Sequence, residues 1–487
     1  MKLKKIIRFL LILIFSFSLY AERLDIDHQK AFNSITAQDA YDYCKTLSAA
    51  RFAGRYTGTE GFTASAKWVA NKFKEWRLKP INKKEGYLQS FPYPYTIIDK
   101  GEMTLLLAEK KSEEQKEISF KEVRLEPQND FFPILFSDSG SNTVEVTFAG
   151  WGISAPELGY DDYAALDVKG KFVLLFQGTP DPEDNRYQKY STMLSRVKTA
   201  KEKGALGILY IYSKDVISYP GSKEWIKDFC SIVISEKVVD MILKEKGITF
   251  AELKKDLQTY RIPLSFPLNS KISYRIESRH FPDGIGYNVV GYVEGSDPRL
   301  KKEYLLMLAH LDHTGQHMGF LFAGAHDNAS GSAVVMEVAE AFSKLEKKPK
   351  RSLIFILFGA EEGGLMTSKY FAEHIPPQFE KVDAIFNFDM VGVGDGASCS
   401  HNSIPEELKK VFEESDKSVK ILKEMRLRKP RPGSEIGVPH LSFVSDGGHT
   451  TYPYYHRTTD TIFRINPDVM ADIARLAFLS AYTWENR

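Results

Sequence analysis

The sequence predicts an α/β fold: a sheet covered by helices on both faces, with a β-rich segment in the middle of the chain. Three observations predict it. From about Tyr287 onward, apolar runs alternate with amphipathic helical patterns. Those runs are apolar on both faces, as strands buried between two helical layers are. Residues 101–278 instead carry short apolar runs broken by Gly, Pro and Asp turns.

The 487 residues, 43% apolar and 26% charged, are ample for a large core. They amount to roughly three domains at ~150 residues each, and they exclude a disordered, collagen-like or polytopic membrane chain. The 65 basic and 64 acidic side chains leave a formal charge of +1. No global field draws nucleic acid or an acidic membrane surface, so neither is expected as a partner. Cys44, Cys230 and Cys399 are far apart and odd in number, allow at most one disulfide, and form no CxxC pair.

Taken in order, Lys2, Lys4, Lys5 and Arg8 open the chain, an apolar run follows over residues 9–19, and Ala21 is a small residue where a signal peptidase could cut. The run is too short to span a bilayer, which takes ~20 residues. An exported protein is expected, with residues 1–21 as signal peptide and no stable membrane span once they are removed; an uncleaved anchor or a buried N-terminal helix is the alternative. Removal takes four basic and no acidic side chains, turning the formal charge from +1 to −3. Residues 36–78 read as helical, with Ala64, Trp68, Val69, Phe73 and Trp76 at spacings that suit one face. Within 101–278, residues 144–148, 172–176 and 206–212 read as strands and 192–203 as a helix. The charged stretch 109–122 reads as a solvated hairpin or loop. Strands are then expected at 304–309, 353–358 and 384–388, and helices at 330–345, 365–374 and 468–484.

The chemistry gathers at the boundaries of these elements. The strand 304–309 runs into His310, Leu311, Asp312 and His313; GAHDNASG places Asp327 just before the next helix. The strand 353–358 ends in GAEEGG with Glu361 and Glu362, the strand 384–388 ends in Asp389, and His456 in YYHRTTDT precedes the last helix. The carboxyl edge of an open α/β sheet forms the ligand crevice. Singly, each residue has an ordinary reading: Asp327 as a helix cap, Glu361–Glu362 as a solvated turn, His456 as a loop histidine. Jointly, His and carboxylates at four strand edges point to a metal site. Three carboxylates, two Zn²⁺ and one hydroxide sum to zero charge, whereas one zinc would leave a net negative, crowded ion. Imidazole and carboxylate without thiolate suit zinc, with Co²⁺ or Mn²⁺ as substitutes. No GxSxG, HExxH or GxxxxGK[ST] pattern offers another chemistry.

In order, HLDH, GAHDNASG, FGAEEGG, FNFDMVG and YYHRTTDT resemble the signatures of the co-catalytic dizinc aminopeptidases, whose family includes glutamate carboxypeptidase. The resemblance covers about residues 36–80 and 285–487, with AGRYTGTEG at 53–61 in place of an LEGR-like segment. GWGISAPELGYDDYAALDVKGKFVLL and KEKGALGILYIY look like a protease-associated domain. The resemblance implies an open, mixed, largely parallel sheet, a catalytic domain split into 22–100 and 279–487, and the protease-associated domain inserted at 101–278. It implies that Asp327 bridges two zinc ions, that His310 and Asp389 hold one, and that Glu362 and His456 hold the other. Glu361 becomes the general base over the bridging water, a choice between the two glutamates that the residues alone leave open. Tyr455 matches an oxyanion-stabilising tyrosine, with core packing as the other reading.

Asp312 is expected to accept the second ring N–H of His310, and Asp460 either to do so for His456 or to cap a helix. His313, His317, His326, His440 and His449 read as loop or supporting residues. The activity implied is hydrolysis of N-terminal residues from peptides, and Phe443, Tyr452, Tyr454 and Tyr455 suggest an apolar or aromatic first residue. A carboxypeptidase for acidic C-termini, a non-catalytic receptor-like protein and a single-zinc glutaminyl cyclase are the alternatives. One departure bears on the pocket: Ser445–Asp446 follows the GVP run, where relatives place an SDH-type segment ahead of it.

Overall fold

The computed structural model describes residues 27–487 except 83, 110–117, 212–224, 365, 403, 428–436, 447, 449 and 450. The expected signal peptide, His449, and parts of the 109–122 stretch and of the segment before the GVP run therefore lie outside the described residues.

Two sheets organise the chain. The larger has nine strands among the described residues, in the order Lys79–Pro80, Ile285–Val293, Ser352–Phe358, Glu303–His310, Lys381–Phe388, His440–Ser445, Ala397–His401 and Leu422–Leu427, with Leu88–Pro92 also on Ile285–Val293. Its centre is parallel: Glu303–His310 lies between Ser352–Phe358 and Lys381–Phe388, and His440–Ser445 continues the run. Its edges are mixed, since Ile285–Val293 and Ala397–His401 pair antiparallel to their inner neighbours. The register His310↔Phe358 brings the ends of two strands level, so the residues that follow them meet at one edge.

Strand alternation explains the two helical layers. Leu305, Met307, Leu353, Phe355, Leu357 and Phe386 are buried in one core with the helices Ala37–Leu47, Ser330–Lys344, Glu406–Val419 and Pro467–Glu485. Tyr304, Leu306, Ile354, Ile356 and Ile385 face the other way, onto Phe371 of the helix Met366–Glu373 and onto Phe379. The helical pattern over 36–78 resolves into Ala37–Leu47 and Glu60–Glu75, separated by a tight turn in which Ala53, Gly54 and Arg55 have positive φ. Thr36 and Thr59 cap the two helices, accepting from the N–H groups of Asp39 and Phe62. The strands Ala397–His401, Leu422–Leu427 and His440–Ser445 and the helix Glu406–Val419 are additions to the expected elements.

Among the described residues the second sheet has eight strands, ordered Ser119–Arg124, Tyr95–Glu109, Ser265–Phe281, Gly140–Ala149, Phe172–Phe176, Gly207–Ile211, Cys230–Ile234 and Phe131–Pro133. The chain enters it on Tyr95–Glu109 and leaves on Ser265–Phe281, two long antiparallel neighbours that start and finish at Tyr95↔Phe281. That is a few residues outside 101–278. Ser119–Arg124 pairs antiparallel with the end of Tyr95–Glu109, Glu109 opposite Ser119. Each sheet face has its own core, one around Phe148, Phe172 and Phe176 and one around Phe136, Val173 and Tyr210.

The two sheets touch at places that bear on the site. The hairpin Gly315–His317 and Phe320–Phe322 of the larger unit packs on the second one. Met318 donates its N–H to the Ile98 carbonyl at 2.8 Å, and the Ile98 N–H donates to His317 Nδ1 at 3.2 Å. Phe132 meets Phe322 edge-on at 5.4 Å, and Thr458 Oγ1 donates to Gln128 Oε1 at 2.8 Å. All three cysteines are free and buried. Among the described residues no helix is long and apolar enough to cross a membrane.

Candidate metal centre

Each strand end delivers a side chain to the same point. His310 is the last residue of its strand, and its Nε2 lies 3.3 Å from Asp327 Oδ1 and 3.3 Å from Asp389 Oδ1. Glu362 follows the turn after Phe358; its Oε2 is 3.0 Å from His456 Nε2 and its Oε1 is 3.0 Å from His313 Nδ1. Asp327 stands between them. While Oδ1 faces His310, Oδ2 lies 3.2 Å from His456 Nε2 and 3.7 Å from His313 Nδ1. Two groups of ligand-type atoms result, each within 4.8 Å of one another: His310, Asp327 and Asp389, and His313, Asp327, Glu362 and His456.

Asp327 is not a helix cap. The helix Ser330–Lys344 has Ala329 at its N-cap and no side-chain cap bond. The Asp327 backbone has non-helical angles, and the Asp327–Asn328 peptide is cis. Its Oδ2 is buried and faces the imidazoles of His456 and His313, while His313 Nε2 is buried with no hydrogen-bond partner. A buried carboxylate needs compensating positive charge, which protonated imidazoles or a bound cation supply. With imidazole and carboxylate around it, the donor set suits a zinc-like ion on either side.

The electrostatics agree with mutual charge compensation. Burial alone would raise Glu362, but His456 and His313 hold its carboxyl down at about 2. Asp327 is likewise held well below the carboxylate range by His310, His456 and His313 against burial. Burial would lower His456, yet Glu362 and Asp327 push it up to about 10. Glu361 behaves oppositely: burial, and then the charges of Glu362, Asp389 and Asp312, push it up to about 8 against the pull of His310. Glu361 belongs to neither ligand group, although its neighbour does.

Asp312 is buried beside His310, whose Nδ1 is 3.2 Å from the Asp312 carbonyl and 3.7 Å from its carboxylate. The main-chain oxygen is thus the nearer partner of the ring. The Asp312 carboxylate instead accepts the N–H groups of Glu361 and Glu362, at 3.2 and 3.4 Å, tying the two glutamates to the His310 strand. Asp460 does not cap the last helix, whose cap is Asn466. It accepts the N–H groups of His326 and Asp327 at 2.9 and 3.0 Å and the Tyr452 hydroxyl at 3.0 Å. Its task is the backbone that carries Asp327.

The Tyr455 ring stacks on His456 at 3.8 Å, and its hydroxyl is pushed up by burial and by Asp327, Glu362, Asp389 and Glu361. Of the supporting histidines, His313 joins a ligand group, whereas His317, His326 and His440 do not. The signal for His313 was its place three residues after His310, which a turn can bring back beside the strand end. Phe443 is buried against Phe388 and Phe412, and Tyr452 is tied to Asp460 and packed on His326. Those two rings do not form a substrate pocket, so the expected preference for an apolar or aromatic first residue loses their support.

Asp327 thus presents one oxygen to each of two ligand groups, at the sheet edge where the motifs converge. The model of peptidase family M28 matches residues 288–481. The similarity to that family thus lies in the carboxyl-terminal part of the chain, where the ligand-type residues stand. Leupeptin-inactivating enzyme 1 of Streptomyces exfoliatus is 39% identical over 108 residues, which span 22% of this chain and 23% of that protein. Aminopeptidase YwaD of Bacillus subtilis is 24% identical over 365 residues, 72% of this chain and 70% of that one. Among solved structures, an aminopeptidase from Aneurinibacillus sp. strain AM-1 superposes with a TM-score of 0.64 at 18% identity, covering 94% of this chain and 95% of its own. The M28 peptidase precursor of Shewanella amazonensis gives 0.64 at 20% identity over 95% and 97%. At these identities the superpositions establish the mixed α/β fold.

Proposed function

We propose that this chain is an exported zinc-dependent aminopeptidase of the M28 type, in which Asp327 would help to hold each of two ions. The observation that carries the reading is the position of Asp327, one oxygen toward His310 and the other toward His456, with Glu361 outside both ligand groups. His310 and Asp389 would hold one ion, and Glu362 and His456 the other, with His313 beside the second. When bound, such a pair lowers the pKa of a coordinated water and polarises the scissile carbonyl.

The chain's own residues supply the rest. Glu361 accepts the proton of the attacking water and returns it to the departing amine. Asp312 holds the Glu361 and Glu362 backbone against the His310 strand, which fixes the distance between base and ligands. Tyr455 keeps its proton, since burial and four carboxylates push its hydroxyl up, and it donates toward the developing oxyanion. The names of the relatives support removal of N-terminal residues. Residues 1–21 direct export, and the segment 101–278 is a protease-associated module.

The test is an assay of the zinc-reconstituted protein on peptides with a free amino terminus, with an acetylated amino terminus, and with an amidated carboxyl terminus. Cleavage of the free and the amidated peptides, with the acetylated one spared, is expected. Cleavage of acetylated but not amidated peptides would establish a carboxypeptidase instead.

A further inference from the structure

We infer that Arg55 is a positioning residue that sets the two ligand-bearing loops in their final arrangement before any ion binds. The inference rests on the metallopeptidase reading above and names how its site is built. Arg55 is completely buried. Its Nε donates to the Leu311 carbonyl at 2.7 Å; Nη1 donates to the carbonyls of Leu47 and Ala323, and Nη2 to that of Gly324, each at 2.8 Å. Its own carbonyl accepts the His313 N–H at 3.2 Å.

These partners are not scattered. Leu311 lies between His310 and Asp312. Ala323 and Gly324 lead into Asp327 from the hairpin that separates it from His313. One planar fork therefore ties together the two strands of chain that bring His310, His313 and Asp327 to the same point, and anchors both to the end of the helix Ala37–Leu47. The delivery of the fork is built into the backbone. Gly54 has φ +67°, and a Cβ there would lie 2.4 Å from the carbonyl oxygens of Gly315 and Phe322, at the base of that hairpin. Only a residue without a side chain lets the segment come so close.

The charge fits the same role. Burial lowers the guanidinium, and Asp460, Asp312 and Asp327 act against that by favouring its charged form. Arg55 thus places a permanent cation among carboxylates that either ligate or brace the ligands. A lysine would keep the charge but present it from a point, without the spread donors that reach four carbonyls. Loops ordered in advance spare metal binding the entropy of ordering them, which is how preorganisation turns into affinity.

Arg55→Lys and the wild-type protein test this together. Zinc affinity is read by competition with a chromogenic chelator, fold by far-ultraviolet circular dichroism, and amide protection by hydrogen exchange in the metal-free state. The variant is expected to fold, to bind zinc at least ~10-fold more weakly, and to lose kcat with KM nearly unchanged. In metal-free wild type the His313 amide is expected to stay protected. A folded variant with wild-type zinc affinity would overturn the role of Arg55. So would a His313 amide that exchanges at the unfolded rate in metal-free wild type, a measurement that needs no variant. Wild type that takes up no zinc would overturn the metallopeptidase reading itself.

Discussion

Two neighbouring glutamates show how far residue identity alone decides chemistry. Glu361 and Glu362 are adjacent, yet one is pushed up to about 8 and the other held down at about 2, because only Glu362 faces His456 and His313. Glu361→Gln keeps the shape and hydrogen-bonding of the side chain but cannot accept a proton. We expect it to retain zinc and to lose about 10²–10⁴-fold in kcat, measured on a free-amine peptide; undiminished turnover would remove Glu361 from the chemistry. The ligand-type residues were legible in the sequence because each sits in a short motif at a predicted strand end. Their supports were not. Asp460 reaches back across more than a hundred residues to the His326 and Asp327 amides, and Arg55 makes a similarly distant set of bonds, neither of which leaves a local pattern.

At the scale of elements, the alternation of apolar runs and helical faces was enough to predict the central strands, which are buried on both sides. It was not enough for the outer strands: Leu422–Leu427 is mostly exposed and polar, with no apolar period to read. One helix carries an unexpected burden. Glu337, on Ser330–Lys344, is 2% exposed, accepts only a long bond from the Thr36 N–H at 3.4 Å, and has one oxygen without a partner. Burial, and then Asp39 and Glu340, push its carboxyl from 4.5 up to about 8. The unfolded chain releases this proton near pH 4.5 and the folded chain only near 8, so stability falls as pH rises through that window. Glu337→Gln removes the dependence. Its thermal unfolding is expected to match wild type below about pH 4.5 and to exceed it by on the order of a few kcal/mol above pH 8; parallel pH profiles would contradict the buried acid.

For the whole molecule, the contacts between the two sheets matter because of what they touch. The hairpin Gly315–His317 and Phe320–Phe322 lies between His313 and Asp327, and Thr458 lies two residues from His456; both are held by the second unit. That unit is therefore coupled to the geometry of the site as well as to its surroundings. Phe132→Ala would leave a cavity against Phe322 and is expected to cost about 3–5 kcal/mol in denaturant unfolding. Activity at a temperature where the variant stays folded is expected to fall as well, and full activity there would show that the hairpin tolerates loss of its brace.

Six side chains from five distant stretches of chain form two groups of ligand-type atoms that share Asp327, the arrangement proposed to hold a pair of ions. The most direct test is the zinc content of the fully reconstituted, desalted protein by mass spectrometry of the metal. Two zinc ions per chain is the expected result. One ion per chain at saturation would contradict the bridging role of Asp327 and with it the paired site.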